Sequence, residues 1–193
     1  KAPVNDIVSY PEYPDLRHPM HFLADTLKAK AKVRIGADSP GALGFQGYEG
    51  PSIAELLPDD DVVLLPQMVP RLRRIKSAFE ISMIKESARW ANLAMALLQK
   101  YTKPGLREPD IAVRAKNEAS DIMYTTLGPD FIPGGVFFSG CHCDYRGQIG
   151  PHSALPHAMV HNKPLKMGDV LGAGCTTQPI LVYISECERT MFL

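Results

Sequence analysis

Three short stretches hold the residue types that could do chemistry. Cys141-His142-Cys143 sets an imidazole between two thiols and invites a zinc reading. Structural zinc sites space their cysteines by about two to four residues and need a second ligand pair, which is not evident here, so free thiols are the simpler expectation. His152, His157 and His161 form a second cluster. Three histidines could converge on a metal, yet catalytic zinc sites draw their ligands from rigid, separated elements rather than from one loop. Taken singly, a histidine can accept and return a proton near neutral pH, because its unperturbed pKa is about 6.5. His157 follows Pro156 in a loop, where many histidines are merely solvated. The third stretch alternates: Tyr183, Ser185 and Cys187 fall on one face, and Ile184, Glu186 and Glu188 on the other. Carboxylates in such a strand either bind something or only discourage edge pairing, and Arg189 beside them is an ordinary salt-bridge partner.

The elements that must position these residues follow from periodicity. His18 to Lys32 reads as a helix with Phe22, Leu23, Leu27 and Ala31 inward, followed by a short strand from Val33 to Ala37. A break at Asp38-Ser39-Pro40-Gly41, a short helix at Ser52 to Leu57 and a buried strand at Val62 to Leu65 complete an α/β region. Ser77-x-x-Glu80 is a capping box, in which each side chain satisfies a free backbone N–H at a helix start. The long helix it opens carries Ile81, Ile84, Ala88, Ala91, Met95 and Leu98 as one apolar stripe and stops at Thr102-Lys103-Pro104-Gly105. Trp90 and its neighbours are core filling. A second helix from Pro109 places Ile111, Ala115, Ala119, Ile122 and Met123 on one side and ends at Gly128-Pro129. Beyond it lie β-like runs, Gly135 to Ser139, Asp169 to Leu171 and Ile180 to Leu193. The last run ends on three apolar residues without a cap, an open edge that leads us to expect a continuing chain.

Bulk composition excludes several classes. Lys+Arg and Asp+Glu both number 21 in the 193 residues, so no net charge draws the chain to nucleic acid or an anionic membrane. No apolar run approaches the ~20 residues of a membrane span, and Lys1 to Tyr10 lack the apolar centre of a signal peptide. A cytoplasmic protein without nucleic-acid or membrane partners is the default. The cysteines, all in the last third, are not spaced like a disulfide framework.

Five pieces then occur in one order: Arg74-Ile75-Lys76-Ser77-Ala78-Phe79-Glu80-Ile81, Lys103-Pro104-Gly105-Leu106-Arg107-Glu108, Leu155-Pro156-His157, Lys166-Met167-Gly168-Asp169 and Glu188-Arg189-Thr190. Together they resemble the opening half of the pita-bread fold shared by creatinase, prolidase, aminopeptidase P and methionine aminopeptidase. The resemblance implies an α/β (α+β) chain in two parts. Residues 1–75 would be the end of a creatinase- or prolidase-like N-terminal domain, and 76–193 the first half of the catalytic domain. Gly47-Tyr48-Glu49-Gly50-Pro51-Ser52 and Ala88-Arg89-Trp90 are closer to the creatinase and ectoine-hydrolase branch.

The metallopeptidase members hold two divalent ions, with two aspartates from this half and a histidine and two glutamates from the other. Here the first aspartate falls at Gly174 or Cys175 and the second at Glu186, which makes a poor dinuclear site. Glu188-Arg189-Thr190 matches instead the Glu-Arg-Thr of the metal-free, creatinase-like members. The resemblance then implies that His157 is the catalytic histidine and that Glu188 holds a cationic or amidine-like substrate group, with Glu186, Tyr183 and Arg189 contacting substrate and no metal or other cofactor. The expected reaction is hydrolysis of a C–N bond in a small polar or dipeptide-like substrate, by a homodimer, with the present chain inactive alone. The competing readings are a metal-dependent Xaa-Pro peptidase, marked by manganese or cobalt binding, and a non-catalytic binding module.

Overall fold

The computed structural model describes residues 5–10, 17–30, 34–39, 50–131, 140–177 and 183–193. The chain divides into two compact units, Lys1–Ile75 and Lys76–Leu193.

The first unit is a small α/β arrangement. Helix α1, Pro19–Lys28, opens where the His18 ring accepts the Met20 N–H and proline supplies a preset φ at the first helical position. Met20 and Ala24 are its buried residues. Leu23, expected inward, is 46% exposed, because the inward face is rotated toward 20 and 24. Strands β1, Arg34–Ala37, and β2, Asp61–Leu64, pair in parallel with Ile35 opposite Val62. A parallel pair needs a crossover, and the intervening segment contains helix α2, Ile53–Leu56, started by a Ser52–Glu55 capping box. Ile53 and Leu57 join Met20 and Ala24 in the core. Helix α3, Met68–Arg74, was not expected: it has three arginines in its last turn and no buried residue, hence no apolar period to read.

Among the described residues, the second unit is a three-stranded antiparallel sheet covered by two long helices. Helix α4, Ala78–Tyr101, begins at the expected capping box, with the Ser77 N–H donating to Glu80 Oε2 at 2.7 Å. It buries Ser87, Trp90, Ala91, Ala94, Met95, Leu97, Leu98 and Tyr101. The expected stripe therefore holds only along the later turns, and Ile81 at its start is 43% exposed. Helix α5, Glu108–Leu127, buries Ile111, Ala115, Ala119 and Met123 and ends at Gly128 with φ +80°; Ile122 lies outside its buried face at 38% exposure. Strands β3, Cys141–Asp144, β4, Val170–Thr177, and β5, Ser185–Phe192, lie in the order β3-β4-β5.

Strand β4 runs six residues past the expected Leu171, because Gly172 and Gly174 interrupt a hydrophobic pattern without interrupting the ladder. The expected strand at 135–139 lies outside the described residues. Both helices pack on the sheet and on each other. Ser87 ties helix to sheet by donating to the Thr177 carbonyl at 2.6 Å and meeting Ser185 Oγ at 3.0 Å.

Candidate active site

Side chains alternate across a strand, so the register assigns every sheet residue to one of two faces. Cys143, Cys175 and Cys187 stand side by side, as do Cys141 and Thr177, Leu171 and Met191, and Ala173 and Arg189. Most of this set is buried in the core with α4 and α5. The other face carries His142 and Asp144 from β3, Gly172, Gly174 and Thr176 from β4, and Glu186, Glu188 and Thr190 from β5. Carboxylates thus flank a central strand that has two glycines in place of side chains.

The turn after β3 delivers a guanidinium into that gap. Arg146 has φ +49° and Gly147 φ +68°, both in the left-handed region. Gly147 is required there, since a Cβ would run into the Met159 carbonyl. Glu108, 1% exposed, braces the turn from below: its Oε1 accepts the backbone N–H groups of Tyr145 and Gly147, each at 3.1 Å. Burial pushes the Glu108 carboxyl up, against those two hydrogen bonds. The Tyr145 ring is fully buried, its hydroxyl paired with Thr102. Arg146 then lies directly over Gly174, where any side chain would displace it. Its Nη2 donates to Glu188, its Nη1 lies 3.6 Å from Glu186 Oε1, and its Nε is buried without a partner among the described residues.

The charges around this guanidinium follow from the packing. The Arg146 hydrogen bond and charge hold the Glu188 carboxyl below the usual carboxylate range, and His157 adds to the effect. Burial pushes Asp144 up, opposed by His142, whose Nε2 is 3.9 Å from the carboxylate, and by Arg146.

The structure brings some of the expected site residues together and sets others apart. Glu186 and Glu188 meet at Arg146; His157, an exposed loop residue at φ +54° just after a 3-10 turn at Gly150–Ala154, bears on Glu188 only as a nearby charge. Tyr183 instead donates to Glu80 Oε1 at 3.0 Å, at the start of α4. Arg189 lies opposite Ala173 on the other face, donating to the Glu188 carbonyl at 2.7 Å. Arg146, Asp144 and Glu108 were missed. The available signal was a charged pair, Asp144 and Arg146, directly before a glycine.

The metal readings can be tested on the same geometry. Cys141 and Cys143 point into the core while His142 points away, so the three cannot converge on one ion; burial raises the Cys141 thiol to about 11. His152 and His161 bond each other at 3.0 Å. Among the described residues no group of three His, Cys, Asp or Glu is arranged to hold a metal. At the expected first metal aspartate, Gly174 has no ligand atom and Cys175 faces the core, while Glu186 is turned to Arg146. These residues do not fit a dinuclear metal centre.

Solved structures supply the comparison for this arrangement. The X-Pro aminopeptidase of Thermotoga maritima MSB8 superposes with a TM-score of 0.62 at 18% identity, over 90% of this chain and 44% of that one. The Xaa-Pro dipeptidase of Bacillus anthracis gives 0.57 at 20%, over 93% and 45%. This is the pita-bread fold. Two curated relatives agree with that pita-bread assignment. An uncharacterized peptidase, YqhT, of Bacillus subtilis (strain 168) is 26% identical over 148 residues, 77% of this chain and 37% of the relative. The creatinase of Bacillus sp. (strain B-0618) is 25% identical over 170 residues, 85% of this chain and 39% of the relative. The pita-bread part described here therefore spans well under half the length of the curated relatives it matches. No protein-family model matches the chain. Among the described residues no helix is long and apolar enough to cross a membrane.

Proposed function

We propose that the protein is a metal-independent hydrolase of a C–N bond in a small, polar, cationic substrate, with this chain supplying one half of the site. The observation that supports the reading is the placement of Glu188 on the open sheet face opposite Gly174 and bonded by Arg146, where the first aspartate of the metallopeptidases falls at Gly174 or Cys175, neither of them a hard oxygen ligand. Hydrolysis without a metal needs a base to activate water, an acid for the leaving nitrogen and a fixed charge to orient the substrate. His157 serves as base and then as acid. Glu188, kept ionised, meets the cationic group and Glu186 adds negative charge beside it, while Tyr183, bonded to Glu80, and Arg189, on the other face of the sheet, stand apart from this pair. Residues 1–75 form the end of an N-terminal domain, and the working form is a cytoplasmic homodimer.

The test is turnover of creatine- or ectoine-like substrates by the protein carrying a complete catalytic domain. His157→Ala lowers kcat/KM by about 100-fold or more, the contribution usual for a positioned acid–base group. Unchanged turnover in that variant removes the role. The neighbouring structures named Xaa-Pro aminopeptidase and Xaa-Pro dipeptidase favour a second reading, a metal-dependent peptidase. Hydrolysis of Xaa-Pro dipeptides that requires added manganese or cobalt would establish it instead.

A further inference from the structure

The open face of the β3-β4-β5 sheet has three carboxylates, Asp144, Glu186 and Glu188. Without a cation among them, their mutual repulsion would disfavour ionisation of any one. The chain brings a cation of its own. We infer that Arg146 is a built-in counter-ion, its guanidinium filling the seat over Gly174 that a divalent metal ion would otherwise take between Glu186 and Glu188. The inference deepens the metal-independent reading and rests on it.

Three observations converge on the seat. Gly174 is its floor, and a Cβ at this position would occupy the place of the guanidinium carbon and nitrogens. Glu186 and Glu188 are its walls, each facing a different Nη of the planar fork, which suits a guanidinium better than a lysine ammonium. The turn that aims the side chain is built into the core by the Glu108 hydrogen bonds, the buried Tyr145 and the tight fit of Gly147 against Met159. An ordinary exposed ion pair has no such support and is free to wander. The Arg146 side chain is 25% exposed, while Glu186 and Glu188 are 63% and 57% exposed, so the cation is the fixed partner and the carboxylates come to it. His142 and His157 are the other groups here that can carry positive charge.

Removing the guanidinium should leave a vacant seat that recruits a cation from solution. The 193-residue chain and its Arg146→Ala variant would be titrated with Mn2+, followed by electron paramagnetic resonance, and with methylguanidinium, followed by calorimetry. The expected result is that Arg146→Ala binds Mn2+ about tenfold or more tightly than the parent chain, a gain of about 1.4 kcal/mol, and also takes up methylguanidinium. Gly174→Ala, which expels the guanidinium while keeping it in the chain, should not gain methylguanidinium binding. If Arg146→Ala folds and takes up neither cation, the seat is overturned and the metal-independent reading stands. If the parent chain binds Mn2+ as tightly as the variant, both are overturned. Should Arg146→Ala fail to fold, NMR of the parent chain decides: Arg146 side-chain N–H signals that exchange slowly, and lose that protection in Glu188→Gln, support the seat. Fast exchange in the parent chain overturns it.

Discussion

The two faces of one three-stranded sheet differ completely in what they do. Toward the helices stand Cys141, Cys143, Leu171, Ala173 and Cys175, none more than 1% exposed. Toward the open side stand His142, Asp144, Glu186 and Glu188, on either side of Gly172 and Gly174. The residues alternate along the same strands, so a slip of one position would bury the carboxylates and expose the thiols. That penalty fixes the register, and the register fixes the site. Packing on one face thus specifies geometry on the other without contributing a reacting group.

The contrast can be broken by substitutions on either face. The largest effect belongs to the packed side: Leu171→Ala is expected to lower stability by about 2–5 kcal/mol, read from urea unfolding, because a sealed core leaves a cavity. A loss below that range would mean that the helices do not clamp the sheet. Ser87→Ala comes next, at about 1–3 kcal/mol by the same measurement, since the buried hydroxyl donates to a carbonyl across the helix–sheet boundary. On the open face Glu188→Gln should shift stability by no more than about 1 kcal/mol at neutral pH, while removing the proposed substrate contact. The sign of its pH dependence is set by the lowered carboxyl. The Arg146–Glu188 contribution is present above the unfolded carboxyl pKa and is lost as pH falls through the lower folded value. The gap between parent and variant should therefore close in acid, as followed by urea unfolding across pH. A gap that widens there would contradict the pairing.

Local signals made much of the fold legible. The Ser77–Glu80 capping box placed the start of α4, and Gly128 marked the end of α5, because both act within a few residues of chain. The pita-bread fold was readable from five short pieces in order, and solved structures bear it out. Inward faces were harder: Leu23 and Ile81 are apolar yet exposed, since periodicity gives a stripe without saying how far along it a partner extends. Strand β3 was obscured because Cys-His-Cys-Asp reads as a ligand cluster until the sheet sends alternate residues to opposite sides. Arg146 was invisible for a related reason. Its role depends on the absence of a side chain at Gly174, 28 positions away in strand β4.

Glu108 joins two things that a diagram of the fold would keep apart. It is the first residue of α5, where a negative charge suits the helix end, and its carboxylate also holds the backbone on both sides of Arg146. Fraying of that first helical turn would withdraw the brace, so the stiffness of the guanidinium is borrowed from the helix behind it. In hydrogen-exchange terms the amides of Tyr145 and Gly147 belong to the same opening unit as the start of α5, although nearly forty residues of chain separate them.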